Sequence, residues 1–366
     1  MKMIDNRCFM AWLCLEDRTE NPTSLWRQGV RIGFWSSLLA IGLWLWGCQP
    51  ASQEVSPTRS VQEQRWLQAI LEDTKQPCTM QILLSNEQNP DALPKVLHYE
   101  RPHPDFVRMT ERLAQSCQIG TDYPTIILTP KELIHWYPHQ SLCRMVPRFP
   151  DKAGLQHIAQ LFTHQARLRA VGREQAEGED WVIVEASVPS GFTTRRYWIR
   201  AHGEPTIRRI LVLDAWGRVM GDEQRTQVRP LPRTAQPPSP PTPPKSWRVE
   251  SVRTAPLRPE DKALLEQLQP PKGYQLISAI RRTCPCDAKQ LSLCALYSNG
   301  LDEFTVFFSA PQCGLLPSAD KPITVGSDVR GVVVAGRRSD GWGLTLVGEV
   351  RPESAREALN RWLGKL

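Results

Sequence analysis

The sequence predicts an α+β protein: a large antiparallel sheet with helices on one face, then a smaller antiparallel sheet with its own helices. Three observations carry this expectation. Strand-length apolar segments dominate residues 80–228 and return after residue 274, with helical periodicity before, between and after the groups of strands. Most connections are short, so neighbouring strands pair as antiparallel meanders. The order helix, strands, helix, strands segregates the two element types instead of alternating them, as α+β folds do.

A first helix reads from about Val61 to Asp73, with Trp66, Ile70 and Leu71 on one face. Strands are expected at 80–84, 96–100, 106–110, 125–128, 133–137 and 142–146. Pro102 and Pro104 lie between the second and third of these, where they remove ladder donors and force a turn or an edge. A second helix is expected over about Lys152 to Ala170, with Leu155, Ile158, Ala159, Phe162 and Ala166 as its apolar stripe. Strands resume at 181–185, 196–200 and 206–213, turn at 215–218 and close at 225–228.

Residues 230–244 contain eight Pro in 15 positions. Such a run favours extended polyproline II, and at about 3.1 Å per residue it spans roughly 45 Å. It reads as a linker over 230–246 between a domain at 61–229 and a second at 247–366. In the second, a helix is expected at about 259–268 and a strand at 275–281. Residues 291–298 alternate, and Asn299-Gly300 supplies a two-residue hairpin turn into 304–308. A second hairpin joins 331–335 to 343–347 around Ser339-Asp340-Gly341. The closing helix opens at Pro352 and buries Ala355, Ala358, Leu359, Trp362 and Leu363.

The N-terminus carries a processing signal. An apolar run from Ile32 to Trp46 follows Arg27 and Arg31 and ends in Leu45-Trp46-Gly47-Cys48. At 15 residues it is short for a membrane span of about 20 and suits a signal h-region. Leu at −3, Gly at −1 and Cys at +1 resemble the lipobox of bacterial lipoproteins. That resemblance implies cleavage before Cys48 and acylation of its sulfur; an uncleaved anchor is the alternative. Residues 1–29 hold Asp5, Glu16, Asp17 and Glu20, unlike a positive n-region, so they read as an extension ahead of a signal starting at Val30. Residues 1–47 are set aside as signal, and 48–60 form a polar lipidated tether.

The succession LHYERPHPDFVRMTE, LIHWYPHQ, RRYWIRAHGEPTIRRILVLDAWGRV resembles the domain shared by the lipoprotein carrier LolA and the MucB/RseB sensors. After the linker, PPKGYQLISAIRR, LYSNGLDEFTVFF and GVVVAGRRSDGWGLTLVGEVRPESAREAL resemble the C-terminal domain of MucB/RseB. Tyr297-Ser298-Asn299-Gly300-Leu301 matches its Tyr-Ser-Asp-Gly-Leu turn with Asn for Asp, and Val347-Gly348-Glu349 with Pro352 matches its Val-Gly-Glu-x-x-Pro segment. The resemblance covers about residues 61–366. It implies a LolA-like, incompletely closed antiparallel β-barrel with a helical lid around an apolar cavity, then a smaller α+β domain. It further implies a lipid or acylated ligand in the first domain and contact between the second and the extracytoplasmic segment of a membrane anti-sigma factor. Family members of this kind are soluble in the periplasm, so the lipobox is a departure. A LolA-like carrier of hydrophobic cargo is the competing reading, and a structural envelope lipoprotein a third.

The net charge of +7 is dispersed, with no Lys/Arg run of the kind that marks a nucleic-acid arm. No Gly-x-Ser-x-Gly, phosphate loop or paired carboxylates occur in context, so no catalytic residue and no cofactor is expected. His135 and His139 have zinc-site spacing only if helical; here they read as strand and turn, and no metal is expected. An envelope location, facing the periplasm or exterior, favours disulfides. Cys284 and Cys286 are expected to pair with Cys294 and Cys313 in some order, with a metal or redox site as alternatives. Cys78, Cys117 and Cys143 are expected to give one disulfide and one free thiol. Bulky side chains on a curved sheet line a pocket or fill a core. Trp136, Tyr137, Phe162, Trp181 and Trp198 are the pocket candidates, and both readings stand at this point.

Overall fold

The computed structural model describes residues 59–364 except 74–75, 86–94, 114–123, 233, 285–286, 310–322, 329–330 and 338–341. Helix α1 (Val61–Glu72) opens on a capping box: Glu63 N–H donates to the Ser60 hydroxyl at 3.2 Å, and the Glu63 carboxylate accepts Ser60 N–H at 2.8 Å. Strands β1 (Cys78–Ser85), β2 (Lys95–His103), β3 (Phe106–Leu113), β4 (Thr125–Leu128), β5 (Glu132–Tyr137) and β6 (Leu142–Pro147) follow as an antiparallel meander. Helix α2 (Lys152–Gln165) starts at Asp151, whose carboxylate accepts Gly154 N–H at 2.9 Å.

Helix α2 stops five residues short of the expected Ala170. Ala166 is already extended, and Arg167–Ala176 form a strand, β7, paired with β8 (Glu179–Ser187). The connection Glu177-Gly178 has φ of +56° and +77°, the primed two-residue turn that suits twisted hairpins. Hairpin pairing overrides the helical preference of this Arg- and Ala-containing segment. Strands β9 (Thr194–Arg200), β10 (Ile207–Leu213) and β11 (Val219–Pro230) complete the meander, and β11 returns to pair with β1.

Beyond residues 231–247, β12 (Arg248–Ser251) pairs parallel with β6 and becomes an edge of this first sheet. The order is β12-β6-β5-β4-β3-β2-β1-β11-β10-β9-β8-β7, twelve strands with β12 and β7 as open ends. Among the described residues the sheet is therefore not closed, consistent with an incomplete barrel.

The second sheet has seven strands, β13 (Thr254–Ala255), β14 (Gln275–Cys284), β15 (Asp287–Ser298), β16 (Glu303–Ser309), β19 (Gly343–Gly348), β18 (Gly331–Arg337) and β17 (Ile323–Asp328) in spatial order, all antiparallel. Helix α3 (Pro259–Gln267) and helix α4 (Pro352–Leu363) share its core: Leu265, Ala355, Leu359 and Trp362 pack with Phe304, Val334 and Leu346. The Trp362 indole donates to Gln269 O at 3.0 Å. The expected two-residue turn at Asn299-Gly300 is instead a four-residue loop, 299–302, between the paired Ser298 and Glu303. Only Gly300 has positive φ, +95°, and the Asn299 side-chain oxygen accepts Leu301 and Asp302 N–H at 2.9 and 2.7 Å. Side-chain capping by Asn stabilises this wider loop where a primed turn would need both residues left-handed.

The two sheets share cores. Met80, Ile82, Leu97 and Met109 of the first, with Leu155 and Ile158 of α2, form one cluster with Cys294, Leu296 and Phe307 of the second. A neighbouring cluster joins Trp66 and Ile70 of α1 and Phe162 of α2 to Val184, Tyr197 and Leu301. Both helices of the first half and the second sheet thus lie on one face of the large sheet, its inner face. Among the described residues no helix is long and apolar enough to cross a membrane.

Candidate functional site

The inner face of the first sheet is the candidate site. Alternation along the strands builds it, since residues two apart share a face. On β1 it presents Cys78, Met80, Ile82 and Leu84, and on β2 Leu97, Tyr99 and Arg101, all buried. The lining is apolar except for a few buried charges.

Those charges are mostly compensated. Arg225 reaches Asp73 and Glu223 at 2.5 and 2.6 Å. Burial pushes the Glu223 carboxyl up to about 7 against the pull of Arg225. Arg195 donates to Leu301 O at 2.7 Å and reaches Glu349 at 3.2 Å. Asp302 accepts Phe192 N–H at 2.5 Å, Thr193 N–H at 3.2 Å and the Thr193 hydroxyl. Burial, and then the nearby Glu349, raise Asp302 to about 6 against those donors. Leu301, Asp302 and Glu349 belong to the second half, and Phe192, Thr193 and Arg195 to the first. Together they form a latch that seats loop 299–302 on the inner face. The seat is tight: a Cβ on Gly300 would stand 2.4 Å from Phe162 N.

The pocket candidates divide among separate places. Phe162 joins Trp66 and Ile70 in an inner cluster. Tyr137 is half-buried at the end of β5, its hydroxyl 3.5 Å from His135 Nδ1. Trp136 sits in another cluster, 4.8 Å from Trp247 between ring centroids. Trp181 and Trp198 lie on the outer face with Leu211 and Leu213. There Arg209 stacks 4.8 Å from the Trp198 ring, and Arg200 and Arg208 each lie 5.8 Å from Trp181. Trp198 Nε1 donates to Glu174 at 2.7 Å. These five residues therefore do not converge on one surface.

His135 is buried, and burial with the nearby Arg144 lowers its imidazole to about 3, while His139 is exposed on the 3₁₀ turn 138–140. Cys78 and Cys143 are buried free thiols, so neither forms the disulfide expected within the trio they make with Cys117. Their burial among apolar neighbours accommodates them as small hydrophobes. Cys294 is buried in the shared core. Cys48, Cys117, Cys286 and Cys313, and the side chain of Cys284, lie outside the described residues.

Arg101, Arg195 and Asp302 were not singled out by the sequence patterns. The signal for Arg101 was its parity with Leu97 and Tyr99 on β2. Asp302 and Arg195 become legible only once the two halves are brought together.

An open, mostly antiparallel sheet with two helices and a second sheet packed on its inner face defines a two-part α+β fold with an apolar core between its parts. No protein-family model and no curated protein matches the chain. Among solved structures, it superposes on a chain of the complex of Pseudomonas aeruginosa MucA/MucB with a TM-score of 0.50, at 16% identity over 81% of this chain and 95% of that one. A crystal structure of MucB in complex with MucA(peri) gives a TM-score of 0.49 at 16% identity, with the same coverage. The chain has the MucB fold, and at the level of fold the MucB/RseB resemblance holds.

Proposed function

We propose that this protein is an envelope lipoprotein sensor, anchored through acylated Cys48, that exchanges a lipid or acylated ligand for the extracytoplasmic segment of an anti-sigma factor. The supporting observation is the shared core. Leu301 of the second lobe packs with Trp66 of α1 and Phe162 of α2, on the face where an acyl chain would lie. A chain entering there competes with the docked loop. Two lobe arrangements then exist, and ligand favours the one in which the latch is open. It shifts the balance only by its preference for that arrangement.

One solved structure on which the chain superposes is a complex of MucB with MucA, and that pairing supports the partner class assigned here. In the docked arrangement the second lobe holds the anti-sigma segment and shields it; ligand binding releases it. A LolA-like carrier needs only the first lobe, and the core common to both halves speaks against that reading.

The test is crosslinking and capture of the membrane-extracted, full-length protein, with and without added palmitate, alongside labelling by radioactive palmitate. An anti-sigma protein recovered only without added lipid, and label lost in Cys48→Ser, are the expected results. Co-purified lipid with no protein partner would overturn the sensor in favour of a carrier.

A further inference from the structure

Among the described residues, four arginines of the first sheet are buried: Arg101, Arg144, Arg195 and Arg225. Three have carboxylates: Glu250 lies 2.6 Å from Arg144, Glu349 3.2 Å from Arg195, and Asp73 and Glu223 within 2.6 Å of Arg225. Arg101 differs. It is 0% exposed, and its Nε and Nη2 have no hydrogen-bond partner among the described residues. The Tyr99 ring lies 5.9 Å from its guanidinium carbon, and Cys78 stands opposite it in register. Burial pushes the Tyr99 hydroxyl up to about 12 and raises the Cys78 thiol, so both are neutral near pH 7 and supply no counter-charge.

A guanidinium with two buried nitrogens left without hydrogen bonds is costly inside an apolar interior. Arg also stays protonated under all ordinary conditions. What relieves the cost is an anion with two acceptor oxygens, for which the planar fork is shaped. The surroundings say what carries that anion. From the Arg101–Cys78 pair, the same face continues as Tyr99 opposite Met80 and Leu97 opposite Ile82. That lane is about 13 Å long at the rise of an extended strand, and beyond the charge it is apolar.

We propose that Arg101 is the head-group subsite of the inner face: it receives the carboxylate or phosphate of an anionic amphiphile whose acyl chain runs along Met80, Leu97 and Ile82. The assignment rests on the acyl-ligand reading above and narrows it to ligands with an anionic head. The subsite adjoins the chain that leaves the first sheet. Leu231 N–H donates to Pro77 O at 3.0 Å, and the Thr234 hydroxyl donates to Pro102 O at 3.1 Å, at the residues flanking Cys78 and Arg101. The subsite therefore lies beside the start of the proline-rich segment that runs on to the Arg248–Ser251 strand.

The test uses the full-length protein and three probes, sodium palmitate, hexadecanol and inorganic phosphate, titrated calorimetrically against wild type, Arg101→Leu, Arg101→Gln and Arg101→Lys. Wild type should bind palmitate at least about tenfold more tightly than hexadecanol, the worth of one charge-assisted pair. Arg101→Leu and Arg101→Gln should lose that preference while keeping their affinity for hexadecanol, and Arg101→Lys, a point charge without the fork, should keep only part of it. Because Leu fills the site without a charge, Arg101→Leu should unfold at a temperature no lower than wild type, which separates lost binding from lost folding. Equal affinity of wild type for palmitate and hexadecanol would overturn the head-group role and leave the acyl reading standing. Binding of inorganic phosphate alone would make Arg101 a free-anion site and overturn the amphiphile. Binding of none of the three would overturn both the subsite and the reading beneath it.

Discussion

Asp302 and Thr193 are joined across the two halves of the molecule, the Thr193 hydroxyl and backbone N–H both donating to one buried carboxylate that also takes Phe192 N–H. Asp302→Ala removes the acceptor and leaves these donors buried without one. The expected cost is about 1–3 kcal/mol, read as a lower Tm with little change in far-ultraviolet circular dichroism. Cleavage by protease at Val252–Arg253, between the two sheets, should become faster in the same variant, since the latch no longer holds the halves together.

Gly300→Ala should act more strongly and on the same contact. Its φ is +95°, and the added Cβ would meet backbone atoms of Leu161 and Phe162, which cannot swing aside. Small-angle scattering should show a larger radius of gyration, and hydrogen exchange should speed up at Leu301. Gly178→Ala is the control: its φ is +77°, but nothing lies within 4 Å, so only about 1 kcal/mol of local strain is expected.

Stability should depend on pH through two buried acids. In the folded protein Asp302 is raised to about 6 from 3.8, and Glu223 to about 7 from 4.5. The native state then holds protons that the unfolded chain has already released. Their contribution is complete below the unfolded values and is lost as pH rises through the folded ones. The difference in Tm between wild type and Glu223→Gln should therefore shift against wild type as pH rises from about 4.5 to about 7. A flat difference across that interval would remove Glu223 as the cause.

The outer-face tryptophans and the inner-face phenylalanine should separate stability from binding. Trp198→Ala and Phe162→Ala should each cost about 3–5 kcal/mol in urea unfolding, as large buried side chains do. Palmitate affinity should fall in Phe162→Ala and stay unchanged in Trp198→Ala. A loss in both would mean that the outer cluster communicates with the interior.

Much of the architecture was legible because strand parity and turn chemistry are local. The strand at 80–84 and the helical face of Trp66 and Ile70 could be read without any partner being known, and both elements form there. What was not legible depends on distant pairing. Arg167–Ala176 has residues that suit a helix, and only the strand beside it makes it a strand. Arg248–Ser251 is four residues long and joins the sheet through β6, about a hundred positions earlier. For the site, bulk was a misleading guide: Trp181 and Trp198 are large and buried, yet arginine stems cover them from outside. The side chains that define the interior, Arg101 in a strand and Asp302 in a loop, are charged, and charged residues in either setting ordinarily read as solvent-facing.

The parallel strand at Arg248–Ser251 changes what the proline run can do. Its far end is stitched into the first sheet, and β13 of the second sheet starts at Thr254, leaving only Val252 and Arg253 between them. Val252 is itself buried in the common core. The working joint is thus a two-residue hinge pin, not a long leash. The halves can pivot or gape, but they cannot drift apart unless that short strand first peels away, so an opened molecule stays poised to snap shut.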